Sequence, residues 1–220
     1  MKVTHIYHSG VIVETDRHLL LFDYYQGDLQ LDPTKPLYVF SSHRHPDHFH
    51  SAIFQIQHPN IHYILSDDIK TSHQAYFVSP HQTYQIDDLM IHTLLSTDEG
   101  VAFIVEVDQQ TIFHAGDLHL WYWKDESEKF NHYQITTFQK EINSIQQPID
   151  IAFIVVDDRL EENYLMGLQY ILKTVQCHNI FPIHYFGNYR ISQQLKNENL
   201  DNPYQAHIFY IEHENQIFEL

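Results

Sequence analysis

The sequence predicts an α/β protein in one domain, residues 1–220, folded as a four-layer αββα sandwich, and three observations predict it. Most of the chain as far as Asp117 reads as short apolar strands broken by polar turns. Beyond that point, continuous apolar runs alternate with stretches of helical spacing, the pattern of buried strands covered by outer helices. Several apolar runs also end abruptly in His or Asp, so one edge of the sheets should gather the reactive side chains. Two strand-rich halves with helices outside suggest a duplicated architecture, although no sequence repeat stands out.

In chain order, VTHIYH, VIVET and HLLLFD are strands joined by antiparallel turns at His8-Ser9-Gly10 and Asp16-Arg17. Residues 49–57 have helix-like apolar spacing (Phe49, Ile53, Ile56) before His58-Pro59-Asn60 and the strand IHYIL. A short helix is expected over residues 69–77. The runs QTYQI, LMIHTLL, VAFIVEV and TIFHAGD are strands of a second sheet. Helical spacing returns over residues 130–147, stopped by Pro148, and over residues 161–176, flanking the apolar strand IDIAFIVV. NIFPIHYF is another strand, residues 189–197 a third helix, and HIFYIEH with QIFEL a closing hairpin across Glu214-Asn215.

Residues 38–50, YVFSSHRHPDHFH, organise the chain: a buried strand runs out through Ser41 and Ser42 into a cluster of metal-ligand types. His43 and His45 are two apart, so in an extended backbone both imidazoles leave the same side; Asp47 and His48 follow where the chain turns. Imidazole and carboxylate suit zinc and similar first-row ions. In IFHAGDLHLWYW a strand again ends in a turn that presents an acid, Asp117, with Gly116 permitting close backbone approach. His114 and His119 are uncertain neighbours, and Trp121 and Trp123 are either pocket wall or packing. His8 and Asp23, at a turn and a strand end, are candidates to support the site by hydrogen bonding. His92, inside a strand, reads as an ordinary sheet residue.

The balance of 12 basic against 29 acidic residues, −17 with histidine neutral, repels phosphate polymers and anionic membranes and weighs against nucleic acid as a partner. No apolar run approaches the ~18 residues of a membrane span, and the first residues lack a basic-then-apolar leader, so a soluble, cytoplasmic protein is expected. The single Cys177 rules out an intramolecular disulfide and a thiolate cage.

With HSG near the start, HRHPDH, the GD of HAGD and the PIH of FPIHYF, the chain resembles the metallo-β-lactamase-fold metal-dependent hydrolases, nearest in layout to the L-ascorbate-6-phosphate lactonase-like branch. The resemblance implies two divalent ions, with zinc the first expectation and manganese or iron the alternatives. It assigns His43 and His45 to one metal, Asp47 and His48 to the other, Asp117 as the acid bridging both, and His184 as the last ligand of the second. It also implies hydrolysis of a small-molecule ester, lactone or phosphodiester by water activated between two ions about 3.5 to 4 Å apart, with Asp47 and Asp117 the carboxylates closest to the chemistry.

The chain departs from the pattern in one loop. Where members carry a third histidine for the first metal, it reads STDEG, with Thr97 or Asp98 in that place. Asp98 either contacts the first metal, directly or through a water, or caps its own turn. The missing histidine motivates a rival function, a non-catalytic metal- or ligand-binding protein on the same fold. Nucleic-acid processing is a third, opposed by the charge. The substrate should be selected by walls built from residues 24–36, 67–80 and 121–130.

Overall fold

A computed structural model describes all 220 residues. The chain forms strands β1 (Lys2–Tyr7), β2 (Gly10–Glu14), β3 (Leu19–Phe22), β4 (Leu37–Ser41), β5 (Ile61–Ser66), β6 (Tyr76–Val78), β7 (Thr83–Ile86), β8 (Leu89–Leu95), β9 (Val101–Val107) and β10 (Gln110–His114). Helix α1 (Glu128–Asn143), β11 (Ile149–Val155), α2 (Met166–Thr174), β12 (Cys177–Ile183), α3 (Arg190–Lys196), β13 (His207–Ile208) and β14 (Gln216–Glu219) complete it.

Two seven-stranded mixed sheets face each other, in the orders β14-β1-β2-β3-β4-β5-β6 and β13-β12-β11-β10-β9-β8-β7. Each has an antiparallel half, β14 to β3 in one and β7 to β10 in the other, followed by a parallel half. The duplicated layout expected from the sequence is therefore present as topology.

The period of two along the strands sorts the core. In β3 and β4, Leu20, Phe22, Tyr38 and Phe40 point between the sheets, where Phe22 stacks on Phe40 at 4.6 Å and Phe40 meets Phe103 edge-on at 5.2 Å. The alternate residues Leu19, Leu21, Leu37 and Val39 face outward and join Ile53 and Ile69 in a smaller cluster. Outside the second sheet, Phe138 and Ile142 of α1 and Leu168, Ile171 and Leu172 of α2 are buried in the main core. The Ser127 side chain accepts from Phe130 N to cap α1, and Glu128 in the first turn and Lys140 in the last suit its dipole. No helix is long and apolar enough to cross a membrane.

Four expectations need correction. Residues 49–57 are not an α-helix: only Ser51–Gln55 turn, as a 3-10 helix that lays Ile53 on the first sheet, so that outer layer is thin. Residues 69–77 hold no helix, because Ile69 anchors the segment to the sheet and β6 then pairs in parallel with β5. The second outer helix is split, with a 3-10 turn at Asp158–Asn163 before α2, the break falling at Glu161 where φ is 53°. The closing hairpin does not form: β13 pairs with β12 in one sheet and β14 with β1 in the other.

At the end of the sandwich away from the histidine motif, Asp108 in the β9–β10 turn ties the sheets together. It accepts from Thr15 Oγ1 at 2.7 Å and Arg17 Nε at 2.7 Å, and lies 2.9 Å from His18 Nδ1. His18, Asp88 and Asp108 have metal-ligand spacing, but both ring nitrogens of His18 and the fork of Arg17 already engage the two carboxylates.

Candidate metal centre

Strand ends bring the reactive residues together. His8 follows β1, Asp23 follows β3, residues 43–48 follow β4, Asp117 follows β10, Asp157 follows β11 and His184 follows β12. His8, Asp23 and His184 have φ of 56°, 44° and 79°, so the chain reverses sharply at each and turns the side chain back over the sheet edge. Two glycines let the loops close in. A Cβ on Gly100 (φ 68°) would collide with Ser42 O, and one on Gly116 (φ 53°) would come within 2.6 Å of Ser42 Cβ. The STDEG and HAGD loops thus press directly on the end of β4, and Val101 N donates to Ser42 O at 2.9 Å.

Two groups of ligand atoms result: His43, His45, Asp98 and Asp117 in one, and His8, Asp47, His48 and His184 in the other. In the first, His43 Nε2 lies 3.0 Å from His45 Nδ1 and 3.6 Å from Asp117 Oδ2, and His45 Nδ1 lies 3.5 Å from Asp98 Oδ2. In the second, Asp47 Oδ2 is 3.4 Å from His8 Nε2 and 3.9 Å from His48 Nε2. Asp117 stands between the groups, its Oδ1 3.1 Å from His48 Nε2 and 3.3 Å from His184 Nε2.

These short separations are not hydrogen bonds in the second group. His8 Nε2, His48 Nε2, His184 Nε2 and Asp117 Oδ1 are all buried without a hydrogen-bond partner. Buried polar atoms left unpaired cost about 1 to 3 kcal/mol each, so four around one point mark a place for a bound species. The imidazole nitrogens of His48 and His184 with the carboxylate oxygens of Asp47 and Asp117 are the donors of a divalent first-row ion, and the residues fit one.

The far side of each ring is held. Asp23 Oδ2 receives His48 Nδ1 at 2.7 Å and Ser42 Oγ at 2.7 Å, and Ser42 Oγ lies 3.0 Å from His43 Nδ1. His184 Nδ1 lies 2.9 Å from Asp157 Oδ2, which leaves its Nε2 lone pair for the centre; Phe186 N instead donates to His8 Nδ1 at 3.1 Å, so the neutral His8 ring carries its proton on Nε2, 3.4 Å from Asp47 Oδ2. Such partners fix which ring nitrogen faces the centre.

The electrostatics agree. Burial alone would raise the Asp117 carboxyl, yet His48 and His184 hold it well below the usual range. Burial would lower His48 and His184, but Asp117 outweighs it and raises both, with Asp23 assisting at His48 and Asp157 at His184. A cation held here would take the place of those protons. His43 is lowered to about 4 and His8 to about 3, by burial first and then by neighbouring imidazoles, which keeps both neutral, as ligation requires of His43. Asp98 is raised by burial and by the Asp117 charge.

All seven residues expected at the centre from the sequence, His43, His45, Asp47, His48, Asp98, Asp117 and His184, converge here. Thr97 does not: its hydroxyl donates to His119 O at 2.6 Å and accepts from His119 N at 3.0 Å. The Asp98 carboxylate lines the pocket, and only its backbone N–H turns back to Ser96 Oγ. His8 is closer than expected, as a member of the second group; Asp23 supports from behind, as expected. Glu99 was missed, with Oε2 3.5 Å from His45 Nε2. So was Asp157, whose signal was an acid ending the apolar run before it. His114 stacks on Phe22 at 4.9 Å, and His119 is buried beside Trp121.

The centre opens into a pocket of about 280 Å³ lined in part by Trp121, Trp123, Phe130 and Arg159. The two tryptophans are stacked wall, 6.1 Å apart and 3° from parallel. Of the expected walls only residues 121–130 line it. Residues 24–36 reach the centre only through Tyr25, edge-on to His8, and residues 67–80 lie beside β5, with 73–76 lining a separate hollow.

Residues 2–184 match the family model described as the beta-lactamase superfamily domain, and the chain belongs to that family. Among solved structures, the fold is similar to Igni18, a metallo hydrolase of Ignicoccus hospitalis, at 17% identity and TM-score 0.62 over all of both chains. It is similar to the metallo-beta-lactamase fold protein YhfI of Bacillus subtilis at 14% identity and TM-score 0.63, over 99% of both chains. It also matches CmlA, a diiron beta-hydroxylase of Streptomyces venezuelae, at 9% identity and TM-score 0.67; all of this chain spans 54% of CmlA. No curated protein matches the sequence.

Proposed function

We propose that the protein is a metal-dependent hydrolase of a small-molecule ester, lactone or phosphodiester. The observation that carries this reading is the convergence of His8 Nε2, His48 Nε2, His184 Nε2 and Asp117 Oδ1, buried and unpartnered, in a chain of the beta-lactamase superfamily. His43, His45 and Asp98 would hold one ion and Asp47, His48 and His184 a second, with Asp117 facing both and the Nε2–H of His8 steadying Asp47. Such ions supply Lewis acidity, lowering the pKa of water and polarising a carbonyl or phosphoryl oxygen.

The chain's own residues do the rest. Asp23 and Asp157 keep His48 and His184 in the tautomer that turns Nε2 inward. Asp47, partly open to the pocket, is held below the usual carboxylate range: burial opposes this, but His8 and His48 prevail. It stays ionised and is placed to orient a water and accept its proton, whereas the Oδ1 of Asp117 is taken up between His48 and His184. The tryptophan wall keeps bulk water from one side of the reacting position.

Zinc suits the imidazoles, while the Asp98 carboxylate in place of a histidine adds a hard oxygen donor that favours manganese or iron. CmlA, a diiron protein of similar fold, supports counting iron among the candidates. The test is metal analysis of the purified protein followed by assay against esters, lactones and phosphodiesters. Two equivalents per chain are expected, with activity lost on chelation and restored by one defined metal. Undiminished activity in metal-free protein overturns the reading, and one equivalent or none without activity favours a binding protein.

A further inference from the structure

We propose that Arg159 anchors an anionic head group of the substrate, so that the protein selects small molecules pairing a carboxylate or phosphate with a flat apolar body. This rests on the hydrolase reading above and adds a substrate class to it. Among the ten residues lining the pocket, Arg159 alone is a lysine or arginine, in a chain where acids outnumber bases 29 to 12. Around it stand Asp47, Asp98 and Asp117, three carboxylates that bound cations would neutralise.

Arg159 is held in place and still has donors to give. Its Nε donates to both oxygens of Asp157 at 2.9 Å, and Nη2 joins the same carboxylate. Its guanidinium carbon lies 5.2 Å from the ring centroid of Phe186. A guanidinium carries five N–H groups, and both on Nη1 have no protein partner, while the side chain remains half exposed. Ordering it has already been met by Asp157 and Phe186, so binding an oxyanion costs little further side-chain entropy. Neutralising Asp157 alone would require only the Nε edge.

The position is also tied to the centre. Asp157 receives Arg159 on one side and His184 Nδ1 on the other, so one carboxylate sets the anchor relative to the metal-facing Nε2. Trp121, Trp123 and Phe130 give the pocket a flat apolar wall suited to the body of the ligand.

The chain has two tryptophans, and both line this pocket, so intrinsic fluorescence reports binding there. The probes are benzoate, phenyl phosphate and uncharged benzamide, titrated into metal-loaded protein. At least one anion is expected to bind about tenfold or more tighter than benzamide, and Arg159→Gln should shrink that preference to below about threefold with metal content unchanged. Arg159→Lys, which keeps the charge but not the fork, should retain part of it. The better anion tells a carboxylate head from a phosphate one. Equal binding of all three probes by the wild type overturns the proposal. So does a full preference surviving in Arg159→Gln, which would place the anion on the metals. Metal content and hydrolysis, measured on the same samples, separate the two readings: a dimetal hydrolase without anion preference sinks the anchor alone, and anion preference in a protein that binds no metal sinks the hydrolase alone.

Discussion

Oδ2 of Asp23 lies 2.7 Å from Nδ1 of His48, and both side chains are fully buried. This contact, 25 residues apart in sequence, decides which nitrogen of His48 faces the centre. Asp23→Asn removes the charge but keeps the shape. Metal affinity should fall about 10- to 100-fold, read by competition with a chelator of known affinity, while the circular dichroism spectrum stays native. Unchanged affinity would leave Asp23 a structural residue only.

His8 is the residue of the centre that the sequence undervalued, its Nε2–H facing the Asp47 carboxylate. Because its φ is 56°, His8→Asn is the suitable replacement, asparagine tolerating that conformation while lacking the imidazole. Titration should show the second of two binding steps weakened and the first preserved. Two steps of wild-type affinity would remove His8 from the centre.

Asp98 offers an oxygen donor where an imidazole is usual for the family it resembles. Asp98→His should shift competition between zinc and manganese towards zinc. Loading with an equimolar mixture, followed by elemental analysis, reads the ratio directly; a ratio identical to wild type would place Asp98 outside the coordination sphere.

The Asp108 clamp sets a pH dependence far from the centre. Burial would raise its carboxyl, but hydrogen bonds from Thr15, His18 and Arg17 prevail and hold it well below the usual range. A carboxylate with a depressed folded pKa stabilises fully above its unfolded value, about 3.9, and loses that contribution as pH falls below it. Asp108→Asn should therefore cost about 1 to 3 kcal/mol in urea unfolding at pH 7, and the deficit should narrow below about pH 4. A deficit independent of pH would refute the charge as its source.

Most of the centre was legible because His43, His45, Asp47 and His48 sit within six residues at the end of one strand, and Asp117 and His184 each end an apolar run. His8 was harder, since its partners Asp47, His48 and His184 are distant in sequence and nothing beside it is a ligand type. The chain ends show the same limit. Alternation in HIFYIEH and QIFEL gives strands, but which strand each pairs with is a long-range choice, and the two go to different sheets. Over residues 69–77 the apolar spacing suited a helix, yet the open edge of β5 recruited Tyr76–Val78 instead. Asp157 escaped notice because its role exists only once β11 and β12 lie side by side.

His8 belongs to the first sheet and His184 to the second, and His184 N donates to His8 O at 3.1 Å. His48 likewise follows a strand of the first sheet, so an ion held by His48 and His184 would be a rivet through two halves of the molecule. Free metal then acts as a stabilising ligand for the whole architecture, its effect growing as RT ln(1 + [L]/Kd). Heated at rising metal concentrations, the protein should melt in one transition that climbs steadily, both sheets parting together. Starvation for metal would thus lower the amount of folded protein as well as its activity.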